Sequence, residues 1–181
     1  DSTIIQEESL DELARQIGKE KEVIRITNDA MNGKIDFKKA LIERVAILQG
    51  QPTEILEKLK LTISLNDGAI ELIRTMKFNN AITVLVSGGF TFLTEHLKTL
   101  LGFDYTHANS LEISHNNLNN PHLTGRVIEP ILDKKAKVLY LDHYVNKNKL
   151  NYEDTVCVGD GANDIEMIKK ANLGVSFNGK K

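Results

Sequence analysis

The chain has 181 residues, of which 41% are hydrophobic and 27% charged, a composition typical of a globular protein with a packed core. Its formal net charge of −2 argues against binding to nucleic acid or to an anionic membrane, because such binding needs a basic surface. The single cysteine, Cys157, excludes an internal disulfide framework, which favours a reducing, cytoplasmic location. Its neighbours in the sequence are apolar, which favours burial of the thiol.

The sequence also predicts no membrane-spanning segment. No stretch approaches the roughly 20 consecutive apolar residues that a membrane-spanning helix needs. The acidic first residues argue against a signal peptide.

Apolar residues recur at helical spacing through the first 65 residues, where no strand pattern occurs. Helices are predicted over residues 10–17, 23–31 and 37–48, each followed by a glycine that can end it. Asp36 is predicted to cap the third helix, and Pro52 to lie in the first turn of a fourth.

Strands and helices alternate after residue 66. Gly68 is predicted to open a helix that buries Ile70, Ile73 and Met76. Residues 81–86 predict a buried strand, followed by a glycine turn at 87–89 and a helix over 92–100. Residues 105–113 and 123–129 predict a hairpin around a polar connection at 116–121.

The last part of the chain continues this alternation. Asp133 is predicted to cap a helix, and residues 155–158 predict another buried strand. A helix that contains Ile165 and Ile168 and a last short strand over 173–177 complete the prediction. This order indicates an α/β protein with a doubly wound, mostly parallel sheet and helices on both faces.

The segment Ser87-Gly88-Gly89 follows a predicted strand and precedes a predicted helix. Its hydroxyl and its free backbone N–H groups are typical of a site that cradles an anion such as phosphate. A plain tight turn that needs glycine is the alternative.

The segment 159–164 follows the next buried strand and places Asp160, Asn163 and Asp164 together. Carboxylates at this position repel an anionic substrate unless a cation lies between them, and Mg²⁺ prefers such oxygen ligands. Capping of the next helix by aspartate is the alternative. A dinucleotide fingerprint is excluded because Asp164 occupies the position of its third glycine.

These motifs resemble the phosphoserine phosphatases of the haloacid dehalogenase superfamily. That family carries a strand ending in D-x-D-S-T, a V-S-G-G-F motif, a lone lysine and a G-D-G-A-N-D motif. The chain matches them, in order, with Asp1-Ser2-Thr3, residues 86–90, Lys137 and residues 159–164. Lys134 and Lys135 stand close enough to compete with Lys137 for the match.

The resemblance implies a haloacid dehalogenase-like fold, with a helical cap at residues 6–65 and a Rossmann-like core at 1–5 and 66–181. The central first strand of that fold is largely missing from this sequence, together with the nucleophilic aspartate two residues before Asp1. We therefore hypothesise that the chain is part of a longer protein.

The resemblance also implies roles for single residues. Asp1 would be the general acid and base and would contribute its backbone carbonyl to a Mg²⁺ site. The other implied residues are the metal ligands Asp160 and Asp164, the phosphate-binding Ser87, Gly88, Lys137 and Asn163, and the substrate-binding Glu8, Met31, Phe37 and Arg44. By themselves, Glu8 and Arg44 are typical of exposed helix charges.

The implied activity is the Mg²⁺-dependent hydrolysis of O-phospho-L-serine to L-serine and phosphate through an aspartyl-phosphate, a step of serine biosynthesis. The implied partner is small-molecule phosphoserine, with no nucleic acid or membrane, and a homodimer is left open. Two alternatives remain: a phosphatase or phosphotransferase for another small phosphomonoester, and a non-catalytic binding relative if the nucleophile is absent.

Overall fold

The structure is a computed structural model that describes residues 1–114 and 120–179, without the side chain of Met31. The Met31 side chain, expected to bind substrate, and most of the polar connection at 116–121 therefore lie outside the described residues. The first block forms the helices α1 (Ser9–Gln16), α2 (Glu20–Met31), α3 (Phe37–Ala46) and α4 (Glu54–Thr62).

The limits of these helices follow the local sequence. Gly18, Gly33 and Gly50 adopt positive φ angles of 71°, 71° and 76° after α1, α2 and α3, as the glycine pattern predicts. Asp36 accepts a hydrogen bond from the backbone N–H of Lys39 and caps α3. The prediction for Pro52 is wrong, because α4 begins two residues later and Pro52 forms a bridge with His122 instead.

The remaining elements alternate as predicted. They are α5 (Ala69–Phe78), β1 (Val84–Phe90), α6 (Thr91–Leu101), β2 (Tyr105–Ser114), β3 (His122–Ile128), α7 (Lys134–Lys147), β4 (Val156–Gly159), α8 (Ile165–Lys170) and β5 (Leu173–Ser176). The predicted cap of α7 is confirmed, since Asp133 accepts hydrogen bonds from the backbone N–H groups of Lys135 and Ala136. The predicted glycine turn at 87–89 is instead part of β1, whose register with β2 shifts between Val86 and Phe90.

The strands form two sheets. β1 pairs in parallel with β2, and β2 pairs antiparallel with β3, which confirms the hairpin. β4 pairs in parallel with β5. The expected single sheet is not continuous within the described residues, because β1 and β4 belong to different sheets. A cavity of about 1280 Å³ is lined by residues 84–86 of β1 and 156–158 of β4.

The second sheet is less covered than the sequence predicts. Cys157 is buried with 7% exposure, but its neighbour Val156 is 45% exposed and Leu173 on β5 is 55% exposed. Ile70, predicted to be buried on α5, is 36% exposed, and Ile165 on α8 is 45% exposed.

The helical block and the first sheet share one hydrophobic cluster. Leu13 of α1, Leu48 after α3 and Leu59 of α4 pack in the same cluster as Phe90 of β1 and Leu123 of β3. At about 25 cal/mol per Å² of buried apolar surface, such a cluster contributes strongly to holding the block against the sheet. The division into a cap at 6–65 and a core stays a prediction.

The two connections between the block and the rest of the chain lie side by side. Ile5 and Leu65 form an antiparallel bridge. The side-chain amide of Asn66 donates to the carbonyl oxygens of Thr3 and Ile5, each at 3.0 Å. This arrangement positions Asp1, Ser2 and Thr3 beside the ends of β1 and β4.

Candidate active site

The loops at the carboxyl ends of β1 and β4 line one cavity together with the first residues of the chain. Ser87, Gly88 and Gly89 line it from β1, and residues 159–164 line it from β4. The carboxyl ends of parallel strands are where α/β proteins bind their ligands. The site residues predicted from the sequence, apart from Met31, all line this cavity.

Lys137 and Asp164 form the most buried ion pair of the site. The Lys137 Nζ lies 2.5 Å from the Asp164 Oδ1, and the two side chains are 8% and 6% exposed. Asp164 Oδ2 accepts a second hydrogen bond, from the backbone N–H of Gly161 at 3.0 Å. Lys134 and Lys135 are exposed on the same helix, so α7 directs only Lys137 of the three towards Asp164.

Gly159 permits the close approach of Asp164. A Cβ atom at Gly159 would lie 2.5 Å from the Cβ and the Cγ of Asp164, a distance that real Cβ atoms do not tolerate. A Cβ atom at Gly161 would collide with the side-chain oxygen of Asn163. The glycines of this loop therefore let two polar side chains turn back over the backbone.

Asp160 is held from the other end of the chain. The hydroxyl of Thr3 donates to the Asp160 Oδ1 at 2.6 Å. Hydrogen bonds to an ionised carboxylate are stronger than neutral ones, so this contact restricts the rotation of Asp160. Asp160 is half-buried and lines the cavity.

Asp1 is held by the helical block. Ser9, with no exposed surface, donates its hydroxyl to the Asp1 Oδ2 at 2.9 Å. A Cβ atom at Gly89 would lie 2.9 Å from the same oxygen, so the Asp1 carboxylate rests against the β1 loop. The carboxylate of Asp1 therefore faces the Ser87 loop at a fixed position.

The Ser87 loop is itself fixed by a buried asparagine. Ser87 accepts a hydrogen bond from the Gly89 N–H at 2.9 Å. Asn109 of β2, which is 1% exposed, donates to the Gly88 carbonyl at 2.8 Å and accepts from the Leu132 N–H at 2.7 Å. With the Gly88 carbonyl held by Asn109, this irregular end of β1 has a fixed backbone where it lines the cavity.

Side chains of the helical block cover the cavity. Phe37 lies above Gly88, with its Cζ 3.5 Å from where a Cβ of that glycine would be, and it is 39% exposed. Glu8 accepts a hydrogen bond from the Ser2 hydroxyl at 2.5 Å. Burial lowers the pKa of Arg44, while the negative charges of Asp11 and then Glu8 act in the opposite direction.

The oxygen donors of the cavity determine whether it can hold a metal ion. Within residues 1–114 and 120–179, no group of three or more His, Cys, Asp or Glu side chains is arranged to hold a metal ion. Asp164 has both oxygens engaged, by Lys137 and by the Gly161 N–H. The predicted trio of Asp1, Asp160 and Asp164 is therefore not assembled from side chains, although the oxygen donors of Asp160 and Asp1 suit a hard cation.

Comparisons with known proteins identify the family. A model of the haloacid dehalogenase-like hydrolase family matches residues 1–169. The chain is 44% identical over all 181 residues to a phosphoserine phosphatase of Archaeoglobus fulgidus, and it spans 51% of that protein. It is 41% identical over 177 residues to a phosphoserine phosphatase of Methanocaldococcus jannaschii, and it spans 82% of that protein.

A solved structure of a substrate-bound phosphoserine phosphatase has the same fold. It superposes with a TM-score of 0.89 at 41% sequence identity, covering 99% of this chain and 83% of that one. The chain belongs to the phosphoserine phosphatase family of haloacid dehalogenase-like hydrolases. The α/β fold expected from the sequence is thereby confirmed.

The sequence alone did not reveal what four residues do in the site. Ser9 and Thr3 hold the predicted carboxylates, Asn109 holds the predicted phosphate loop, and Asp11 acts electrostatically on Arg44. A signal existed for Asn109 alone, because it is a polar residue on the same face of β2 as the buried Leu111.

The only cysteine of the chain is unsuited to nucleophilic attack. Burial, followed by the negative charge of Asp164, raises the pKa of the Cys157 thiol to about 11. The thiol therefore stays protonated at neutral pH, and the thiolate is the nucleophilic form. None of the described helices is both long and apolar enough to cross a membrane.

Proposed function

We propose that the protein of which this chain is part hydrolyses O-phospho-L-serine to L-serine and phosphate. The observation that carries the proposal is the placement of the Asp1 carboxylate against the Ser87–Gly89 loop, with a buried lysine in the same cavity. The names of the relatives support the choice of phosphoserine among phosphate monoesters.

The phosphoryl group would lie between the β1 loop and α7. Ser87, the Gly88 N–H and Lys137 would donate hydrogen bonds to its oxygens, and Asn163 would add an amide from the β4 loop. Phosphoryl transfer depends mainly on positioning and on neutralising charge, which these donors supply.

Asp1 would move the protons of the reaction. An aspartate two residues before Asp1, which the family resemblance implies, would attack phosphorus; the bond to the serine oxygen would break, and that oxygen would take a proton from Asp1. Water then attacks the aspartyl-phosphate, Asp1 accepts the water proton, and the bond between the aspartate and phosphorus breaks. The hydrogen bond from Ser9 supports this role, because it fixes the carboxylate that must face both oxygens.

Mg²⁺ would be held by the Asp160 carboxylate and the Asp1 backbone carbonyl, and it supplies positive charge that offsets the charge of the phosphoryl oxygens. Asp164 would support this site indirectly. Its two carboxylate oxygens accept hydrogen bonds from Lys137 and from the Gly161 N–H, and these bonds orient Lys137 and the loop that carries Asp160. Thr3 would keep Asp160 turned towards the metal position.

Substrate recognition would come from the helical block. Glu8 would pair with the substrate ammonium and Arg44 with its carboxylate, a pairing suited to a two-point contact. Phe37 and Met31 would close an apolar lid over the phosphoryl group, and the position of Phe37 above Gly88 supports this. The product would enter L-serine biosynthesis, and a cytoplasmic location stays a prediction.

Rates of phosphate release by the full-length protein test the proposal. With Mg²⁺ present, we expect O-phospho-L-serine to be hydrolysed with a higher kcat/KM than O-phospho-L-threonine or p-nitrophenyl phosphate. Equal values for the three substrates would favour a phosphatase for another small phosphomonoester. No release from any of them would favour a binding protein.

A further inference from the structure

One buried side chain of β2 contacts both of the elements that carry the proposed phosphate donors. Asn109 donates its side-chain amide to the Gly88 carbonyl at 2.8 Å, and its side-chain oxygen accepts from the Leu132 N–H at 2.7 Å. Gly88 lies at the irregular end of β1, and Leu132 immediately precedes Asp133, which caps α7. Asn109 therefore joins the end of β1 to the start of the helix that carries Lys137.

The contact with Gly88 lies at an irregularity in the pairing of β1 with β2. Val86 pairs with His107 and Phe90 pairs with Asn109, so four residue steps along β1 are matched by two along β2. Two extra residues of β1 therefore fall outside the regular ladder. A backbone carbonyl in such a stretch needs a donor from elsewhere, and the Asn109 amide supplies one.

This contact also orients the Ser87 hydroxyl. The peptide between Gly88 and Gly89 is trans and planar, so its C=O and its N–H point in opposite directions. When Asn109 holds the C=O, the Gly89 N–H is directed away from Asn109, and it donates to the Ser87 Oγ at 2.9 Å. A hydroxyl that accepts one hydrogen bond can still donate its own proton, here to a phosphoryl oxygen.

The contact with Leu132 fixes the start of α7. The capping aspartate follows Leu132 directly and accepts hydrogen bonds from the first backbone N–H groups of the helix. Lys137 is the fourth residue of α7, so its position depends on where the helix begins. Its Nζ then lies 2.5 Å from the Asp164 Oδ1, inside the cavity.

We propose that Asn109 is a positioning residue that sets the separation between two groups of phosphate donors, Ser87 and Gly88 on β1 and Lys137 on α7. The inference rests on the proposed function. Asn109 is not one of the described residues that line the cavity, so it acts through its two backbone partners. Its loss should misplace the phosphoryl group even in a protein that folds.

A purely structural role is the competing explanation, because the loss of two hydrogen bonds from a buried side chain destabilises a fold. Thr83 offers a matched control at the opposite end of β1. It is 6% exposed, and its hydroxyl donates to the Asp104 carboxylate at 2.9 Å and accepts from the Asp104 N–H at 3.2 Å. Thr83→Val therefore also removes two hydrogen bonds between the β1 and β2 segments, away from the phosphate donors.

The first experiment compares Asn109→Leu with Thr83→Val in the full-length protein with Mg²⁺, after urea unfolding has shown that both variants are folded. We expect Asn109→Leu to lower kcat for O-phospho-L-serine by about 10²-fold, the cost of a displacement of about 1 Å at a reacting group. Calorimetry should show that its dissociation constant for inorganic phosphate rises about tenfold, as when a hydrogen bond to a charged group is lost. Thr83→Val should keep the wild-type kcat and phosphate affinity despite its loss of stability.

The variant Asn109→Asp separates the two hydrogen bonds. Its carboxylate can still accept from the Leu132 N–H, but it cannot donate to the Gly88 carbonyl until it is protonated. Burial raises the pKa of such a carboxyl, so protonation should restore the donor as pH falls. The kcat of this variant, divided by that of the wild type at the same pH, should be low at pH 8 and rise towards pH 5.

Two results would overturn the inference. One is a kcat and a phosphate affinity in Asn109→Leu that equal those of Thr83→Val, and the other is a kcat ratio in Asn109→Asp that stays low down to pH 5. A wild type that binds inorganic phosphate but does not hydrolyse O-phospho-L-serine would overturn the proposed function alone. The phosphate dissociation constants would then still test the role of Asn109.

Discussion

Lys137 on α7 and Asp164 ahead of α8 form a buried ion pair, with the Nζ 2.5 Å from the Oδ1. The pair joins two elements that follow different strands, and it directs a positive charge into the cavity. Burying a charge is costly unless a partner offsets it, so each residue depends on the other. The ion pair thus contributes both to the fold and to the proposed phosphate site.

Replacing Lys137 by alanine should affect activity and stability together. We expect phosphate release to fall by about 10²-fold or more, as when a donor to the transition state is lost. The free energy of unfolding should fall by about 3–5 kcal/mol, because Asp164 would remain buried without its partner. Steady-state kinetics and urea unfolding measure the two effects.

Lys135→Ala is the control for this change, because Lys135 is exposed in the same helix turn. It should behave as the wild type in both measurements. A Lys137→Ala protein as active and as stable as Lys135→Ala would contradict the assignment.

Removing the Ser9 hydroxyl should lower kcat. Ser9→Ala deletes the hydrogen bond to the Asp1 carboxylate, and a bond to a charged group contributes about 1.5–3 kcal/mol. If this hydrogen bond stabilises the transition state by that amount, its loss should lower kcat by about 10-fold to 100-fold. Thr99→Ala, which removes an exposed hydroxyl from α6, should leave kcat unchanged. An unaltered kcat in Ser9→Ala would show that Asp1 is oriented without Ser9.

Local patterns were sufficient to predict the elements. The capping aspartates Asp36 and Asp133 and the glycines after the first helices act within one helical turn, so the sequence reveals them directly. The hairpin of β2 and β3 was equally predictable from its two strand patterns. The exposure of Val156 and Leu173 could not be predicted from the sequence, because the burial of a strand residue depends on which elements pack over the strand.

The contacts inside the site lay beyond sequence reasoning. The hydrogen bond from Thr3 to Asp160 joins residues 157 positions apart, and nothing in the sequence around either residue indicates the contact. The resemblance of the motifs predicted the residues that line the cavity. It did not predict the contacts that Ser9 and Asn109 make there. Those two act through hydrogen bonds to other site residues. Asn109 could be noticed as a polar residue on the buried face of a strand, whereas nothing in the sequence pointed to Ser9.

The raised pKa of Cys157 predicts a pH dependence of stability. The folded thiol releases its proton near pH 11, and an unfolded cysteine near pH 9. Between these values the folded state binds more protons than the unfolded state, so stability falls as pH rises. Below about pH 9 the contribution of the buried thiol is fully present.

Urea unfolding of the wild type and of Cys157→Ala from pH 7 to pH 11 measures this contribution. The difference between their unfolding free energies should be constant up to about pH 9 and should shrink above it. A difference that stays constant to pH 11 would mean that the thiol ionises as readily in the folded protein as in the unfolded chain.

Phosphate release from O-phospho-L-serine by the full-length protein, compared between the wild type and Asp160→Asn with Mg²⁺ present, tests the account most directly. Asparagine keeps the shape of Asp160 and can still accept the Thr3 hydroxyl, but it lacks the charge that a hard cation requires. We expect the wild type to release phosphate and the folded variant to be slower by about 10²-fold or more. No release by the wild type, or equal rates in the two proteins, would contradict the account.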